Sequence, residues 1–216
     1  MGRLREDFPS LLLENCSAGG SRFDPGVLYY SPQIWGSDDS DAIERIQIEM
    51  GASMCYPLST IGAHVSAVPN HQTGRITPLE TRGYAAMAGT CGYELNIAQM
   101  SEAEKAVIRE QVDIYHKYNW IVKEGDLYRI GDPFANRDHA CWMVVSTDKN
   151  EALVTYIQTH ALPVYFGSAR KLRLKGLMDE AVYRAEVISV SSEVVNGDAH
   201  LEGGQNAGKG REVLEV

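Results

Sequence analysis

The chain has 216 residues, 44% of them hydrophobic, enough for one large domain or one and a half smaller ones with real cores, which excludes a wholly disordered polypeptide. A net charge of −9 and a pI near 5.1, with no run of Lys or Arg able to track a phosphate backbone, argue against a nucleic-acid partner. No stretch approaches the roughly 18 apolar residues of a membrane span, the N-terminal charges precede no apolar secretory segment, and Cys16, Cys55, Cys91 and Cys141 show neither CxxC pairing nor metal-ligand spacing, which fits a reducing cytoplasm.

In chain order, residues 11 to 16 (Leu-Leu-Leu-Glu-Asn-Cys) form a short apolar run ending in polar residues and glycines. A buried parallel strand reads this way when its C-terminal end opens onto a functional loop. A second edge of the same kind is residues 29 to 35, which end at Trp35 and run into Gly-Ser-Asp-Asp-Ser-Asp. There the period turns helical. Asp41 and Glu44 have capping-box spacing, with Asp in place of Ser or Thr, Ile43, Ile46 and Met50 form an apolar stripe, and Gly51 is placed to stop the helix. A strand is expected over residues 54 to 58, leading into the Gly62-Ala63-His64-Val65-Ser66 stretch. Residues 69 to 82, with Asn70, His71, Gln72, Thr73 and Arg75, form a long polar connection of the kind that is functional or disordered. A weak small-residue helix follows over 81 to 89, then a short strand over 92 to 95.

The clearest helix starts at Ser101, whose capping-box partner is Glu104, and its stripe of Ile108, Val112 and Tyr115, widened by Val107, Ile114, Tyr118 and Ile121, runs to Gly125. Beyond Gly125 the period becomes two: runs over 126–130, 140–147, 152–160, 170–174 and 182–190 are separated by turn residues and read as a small antiparallel sheet. Trp142 alternates as a core residue. The stretch 196–216 has no periodicity and is expected to be poorly ordered. The chain therefore divides into residues 1–125, alternating strand, loop and helix about four times as the C-terminal half of a (β/α)8 TIM barrel would, an antiparallel β domain over 126–195, and a tail over 196–216.

In such barrels the polar residues at strand C-terminal ends carry the chemistry, and Glu14, Asn15, Cys16, Ser37, Asp38, Asp39 and His64 occupy that edge. Asp38, Asp39 and Asp41 are each compatible with solvating a loop or capping the next helix. The spacing gives the cap to Asp41 and leaves Asp38 nearest the strand, beside an indole, where desolvation would raise a carboxyl pKa as a general acid requires. Cys16 is compatible with an ordinary buried thiol and Trp35 with a core residue. Arg22 and Asp24 read as a pair holding the loop after the first strand. His64 and His71 lack a third ligand, so no metal and no cofactor is expected.

Three long polar strings, 11–26, 32–45 and 62–75, resemble the α-galactosidases of glycoside hydrolase family 36, and the resemblance extends over about residues 3 to 190. It implies a retaining enzyme acting on α-linked galactosides such as melibiose or raffinose-type sugars, with a (β/α)8 catalytic barrel of which the last four strand–helix units are present, and a C-terminal β domain. It carries the general acid/base role onto Asp38, in the family's Trp-x-Ser-Asp string, and a sugar-subsite role onto Cys16; Asn15 and Trp35 stand beside these as substrate-binding candidates. The family's nucleophile is an aspartate in a Lys-Trp-Asp string upstream, and no such string occurs here. The expectation is thus a fragment holding the acid/base without the nucleophile, inactive alone and either self-associating or completed by a missing N-terminal half. The alternative is a non-catalytic carbohydrate-binding remnant or half of a split enzyme. The sequence departs from the family pattern at Ala18 and Ser21 and beyond about Val190.

Overall fold

The computed structural model describes residues 1–16, 21–132, 134–135, 138–160, 171–188, 206–209 and 213–215. The chain separates into two compact units, Met1–Ala106 and Val107–Val216, with the division inside the longest helix.

The first unit opens with a short helix, α1 (Gly2–Asp7), that sequence periodicity does not announce. It is followed by β1 (Glu14–Asn15), α2 (Pro25–Leu28), β2 (Gln33–Trp35), α3 (Ala42–Ala52), β3 (Ile61–Ser66), α4 (Leu79–Ala86) and β4 (Thr90–Glu94). The four strands form one parallel sheet in the order β1-β2-β3-β4. Parallel neighbours in sequence order, joined by helices, are the wall of a partial (β/α) barrel.

The register divides this sheet into two faces. Ile34 pairs with Ile61, and those two side chains, with Ala63 and Val65, are buried against the helices. On the other face lie Glu14, Gln33, Trp35, Gly62, His64 and Gly92, a largely polar surface. This explains where the expected strands moved. A run over 54–58 is the stronger apolar signal, yet the chain there forms turns, then a 3-10 segment at Leu58–Thr60, and β3 begins only at Ile61. A strand whose inward face carries glycine, histidine and serine reads as a loop. The leucines at 11 to 13 fall outside β1, and Leu11 and Leu12 are exposed.

Gly51 does not stop α3, which continues to Ala52 with Ser53 at its C-cap. The buried face of α3 is Arg45, Ile46, Glu49 and Met50, so two charged residues share it with the predicted stripe. Asp24 does not pair with Arg22. Its carboxylate caps α2, accepting from the Val27 amide at 3.0 Å, which is the ordinary use of Asp before a proline-started turn.

The helix α5 (Glu102–Glu124) begins with the expected capping box: the Glu104 carboxylate accepts from the Ser101 amide, and Ser101 Oγ accepts from the Glu104 amide. In the second unit β5 (Asp126–Arg129), β6 (His139–Val145) and β7 (Ala152–Gln158) form an antiparallel three-stranded sheet, with Trp142 buried in it. Two further pairs are antiparallel: β8 (Lys171–Arg173) with β11 (Val213–Glu215), and β9 (Val182–Ala185) with β10 (Asn206–Lys209). Seven residues of the stretch expected to lack order thus lie in strands, β10 over 206–209 and β11 over 213–215, held by backbone pairing that needs no hydrophobic period. The rest of 196–216, most of the glycine-rich loop after Cys16 and the end of the run expected over 182–190 lie outside the described residues.

Candidate active site at the strand ends

The site is built on the turn that joins β2 to α3. Asp39 and Asp41 are both committed to that turn's backbone. The Asp39 amide donates to Ser37 Oγ at 3.1 Å, and Asp39 Oδ1 accepts from the Asp41 amide at 3.0 Å. Asp41 Oδ1 accepts from the Ile43 amide at 2.9 Å and the Glu44 amide at 3.3 Å, so it is the N-cap of α3. It also receives the Thr73 hydroxyl and the Arg75 guanidinium. Burial pushes the Asp41 carboxyl up, but the bonds from Thr73, Ile43, Glu44 and Arg75 together outweigh it and hold the pKa below the ordinary value.

Asp38 lies between these committed residues and differs from both. Its side chain is exposed and makes no hydrogen bond or ion pair with any described residue. A carboxyl in this condition, on a turn fixed on both sides, is available to a ligand.

The connection after β3 braces the same turn from outside. Asn70 Oδ1 accepts from the amides of Gln72 and Thr73, Asn70 Nδ2 donates to Ser40 Oγ at 3.1 Å, and the Ser40 amide donates to Gln72 Oε1 at 3.1 Å. Arg75 adds an ion pair to Glu44 at 3.2 Å. The long polar connection is therefore ordered structure whose work is to hold residues 40 to 44.

Beneath the turn, Trp35 stacks on His64 with ring centroids 4.3 Å apart, and the Arg45 guanidinium lies 4.0 Å from the indole centroid. Glu14 Oε1 accepts from Gln33 Nε2 at 3.1 Å and stands 3.8 Å from His64 Nε2. The carboxylate reaches there because position 62 has no side chain: a Cβ on Gly62 would sit 2.9 Å from Glu14 Oε1. Burial pushes the His64 pKa below its ordinary value, with Arg45 acting the same way against Glu14 and Glu94. Cys16 follows β1 directly as an exposed free thiol. Asn15 pairs with Ile34, so the register sets it on the opposite sheet face from Trp35. No group of three His, Cys, Asp or Glu residues able to hold a metal occurs among the described residues.

Residues 1–125 match the family model described as Melibiase, and residues 139–211 match that of the glycosyl hydrolase family 36 C-terminal domain. The chain belongs to glycosyl hydrolase family 36.

Among its relatives, the bifunctional alpha-galactosidase/sucrose kinase AgaSK of Mediterraneibacter gnavus is 53% identical over 190 residues, covering 86% of this chain and 20% of that protein. The alpha-galactosidase AgaA of Geobacillus stearothermophilus is 47% identical, covering 88% of this chain and 26% of that one. The crystal structure of AgaA superposes with a TM-score of 0.83 at 42% identity, over 100% of this chain and 29% of that chain. A second AgaA structure, in complex with raffinose, gives a TM-score of 0.79 at 46% identity, over 84% and 25%. The chain thus spans about a quarter of the length of the family 36 relatives it matches.

Several residues of this family 36 site escape a sequence reading. Arg45, Gln72 and the Glu14–Gln33–His64 cluster are set by contacts across 17 to 50 positions of chain, which no local period encodes. One local signal does exist: Arg45 and Glu49 are four apart on the same side of α3 as Ile46 and Met50.

Proposed function

We propose that the chain contributes the general acid/base and part of the galactose-binding surface of a retaining α-galactosidase that removes terminal α-D-galactosyl residues. The observation that carries this is the division of labour among three neighbouring aspartates: Asp39 and Asp41 are held by backbone amides, while Asp38 stands exposed and uncommitted at the C-terminal end of β2. The names and raffinose complex of the relatives support the substrate class.

On this reading Asp38 protonates the glycosidic oxygen as a second carboxylate attacks the anomeric carbon from the opposite face. It then takes a proton from the water that releases galactose from the enzyme. Retaining chemistry sets the two carboxyl groups about 5 to 5.5 Å apart. The 216 residues contain no Lys-Trp-Asp string, so the attacking carboxylate is contributed by other polypeptide. Trp35, held by His64 and Arg45, supplies an apolar wall for the sugar and Cys16, directly after β1, lines the same rim, whereas Asn15, expected from the sequence to bind substrate, faces the other side of the sheet and is left out of this surface. A cytoplasmic setting is the one this reading assigns.

The test is turnover of an aryl α-galactoside. The purified 216-residue chain is expected to show none, whereas the full-length gene product turns over and loses at least about a hundredfold in kcat/KM toward an alkyl α-galactoside on Asp38→Asn. Full activity in the Asp38→Asn protein would remove the assignment, and turnover by the 216 residues alone would contradict an attacking group outside them.

A further inference from the structure

Arg45 is 2% exposed and lies on α3, away from any water that could solvate its charge. Every edge of its guanidinium is used. Nη1 donates to the carbonyl oxygens of Ser37 at 2.9 Å and Asp39 at 3.3 Å, Nη2 donates to the Gly62 carbonyl at 2.7 Å, and Nε donates to Glu49 Oε1 at 3.2 Å. Its Cζ also lies over the Trp35 ring, 4.0 Å from the centroid. The two carbonyls taken by Nη1 belong to the residues immediately before and after Asp38. A single rigid fork therefore spans the backbone on both sides of the one uncommitted carboxylate and ties it to β3 through Gly62.

A buried charge is costly, and a pair of the Arg45–Glu49 kind does little for stability that apolar residues of the same volume could not do. The particular service of a guanidinium is its planar set of directed donors, which lysine lacks. A general acid must meet the leaving oxygen within hydrogen-bond reach, and a misplacement of about 1 Å costs on the order of a hundredfold.

We infer that Arg45 is a positioning residue for the acid/base, gripping the carbonyls that flank Asp38 and the ring that forms the site's wall so that the Asp38 carboxyl is presented to the leaving oxygen. The inference rests on the acid/base reading of Asp38 given above. Arg45 touches no substrate. It acts through the path of the 37–39 backbone and the plane of Trp35, with Glu49 fixing its Nε edge.

The experiment compares kcat/KM for an alkyl α-galactoside, whose departure needs a proton, with that for a nitrophenyl α-galactoside, whose departure does not, in the full-length gene product. Arg45→Lys is expected to lower the alkyl value roughly tenfold or more while changing the nitrophenyl value less than about threefold, since general acid assistance is worth about 10² to 10⁴. Because a lone change at a buried ion pair can prevent folding, the double variant Arg45→Met with Glu49→Leu is made beside it. It replaces both charges by apolar volume, which is commonly neutral for stability, yet removes every donor to the three carbonyls. It is expected to fold and to show the same split. A fold-stabilising role alone predicts equal loss for both substrates, or none, in both proteins, and that result overturns the inference. Asp38→Asn is measured in parallel: if it shifts the ratio and the Arg45 variants do not, positioning by Arg45 is wrong and the acid assignment stands. If Asp38→Asn leaves the ratio unchanged, the acid assignment itself fails.

Discussion

At the scale of single residues, four of the five carboxylates from Asp38 to Glu49 sit in three different states. Asp38 is open to solvent, Asp39 and Asp41 are spent on backbone amides, and Glu49 is buried against Arg45. Burial raises the Glu49 pKa to about 7, and the charge and hydrogen bond of Arg45 oppose this only in part. A carboxyl raised from its ordinary 4.5 keeps its proton in the folded chain across a range where the unfolded chain has lost it. The folded state then binds more protons, so the Glu49 contribution to stability is present below about pH 4.5, declines as pH rises to about 7, and is level above. Glu49→Gln removes this dependence. Denaturant unfolding of both proteins at several pH values is expected to show the wild-type advantage shrinking by on the order of 3 kcal/mol between those limits, at about 1.4 kcal/mol per pKa unit. A difference that grows with pH would show that Glu49 is ionised throughout and held by Arg45.

At this scale the site is unevenly legible in the sequence. Capping-box spacing singles out Asp41 correctly, because a cap is a contact between neighbours. That leaves Asp38 by subtraction, and the structure shows it exposed, without the desolvation beside the indole that the sequence suggests. Arg45 is not legible in the same way, since its partners are backbone carbonyls, at Ser37 and Asp39 in the turn before α3 and at Gly62, which reaches it only when α3 packs along β3.

At the scale of elements, the capping box of α5 and the strands of the three-stranded sheet appear where local signals put them, but burial departs from the local period: of the expected α5 stripe only Ile121 is buried, beside Gln111 and Val122, and β6 is buried on both faces. In the first unit the two conflict as well. The inward face of β3 carries Gly62, His64 and Ser66 where a strand is usually apolar, so the period that marks a strand is broken by the residues that make the site. The sharpest packing constraint there is Gly89, in the turn between α4 and β4. A Cβ on it would lie 2.5 Å from the Ile61 carbonyl oxygen and 3.2 Å from the Ala63 Cβ, against backbone that cannot rotate away. Gly89→Ala is expected to cost about 1 to 3 kcal/mol of stability by forcing β4 away from β3, read as a lower midpoint in denaturant. An unchanged midpoint would show that the α4–β4 turn can shift freely.

At the scale of the whole chain, the parallel sheet has two edges among the described residues, β1 and β4, and β1 contributes only Glu14 and Asn15 to it. Leu4, Phe8, Leu11 and Leu12 are exposed just before that edge. Unpaired backbone beside exposed apolar side chains is a template for association. The isolated 216 residues are therefore expected to self-associate, measured by light scattering over a range of concentrations, with a monodisperse monomer as the contrary result.

The central claim is that Asp38 is the acid/base and not the attacking group, and product stereochemistry tests it most directly. In the full-length gene product carrying Asp38→Ala, an activated aryl α-galactoside can still form the galactosyl-enzyme, and added azide can enter the space left by the missing carboxyl. The account predicts α-galactosyl azide, formed by attack from the face the aglycone left, with the rate restored as azide rises. The β-galactosyl azide would mean that azide had replaced the nucleophile, and would contradict the account.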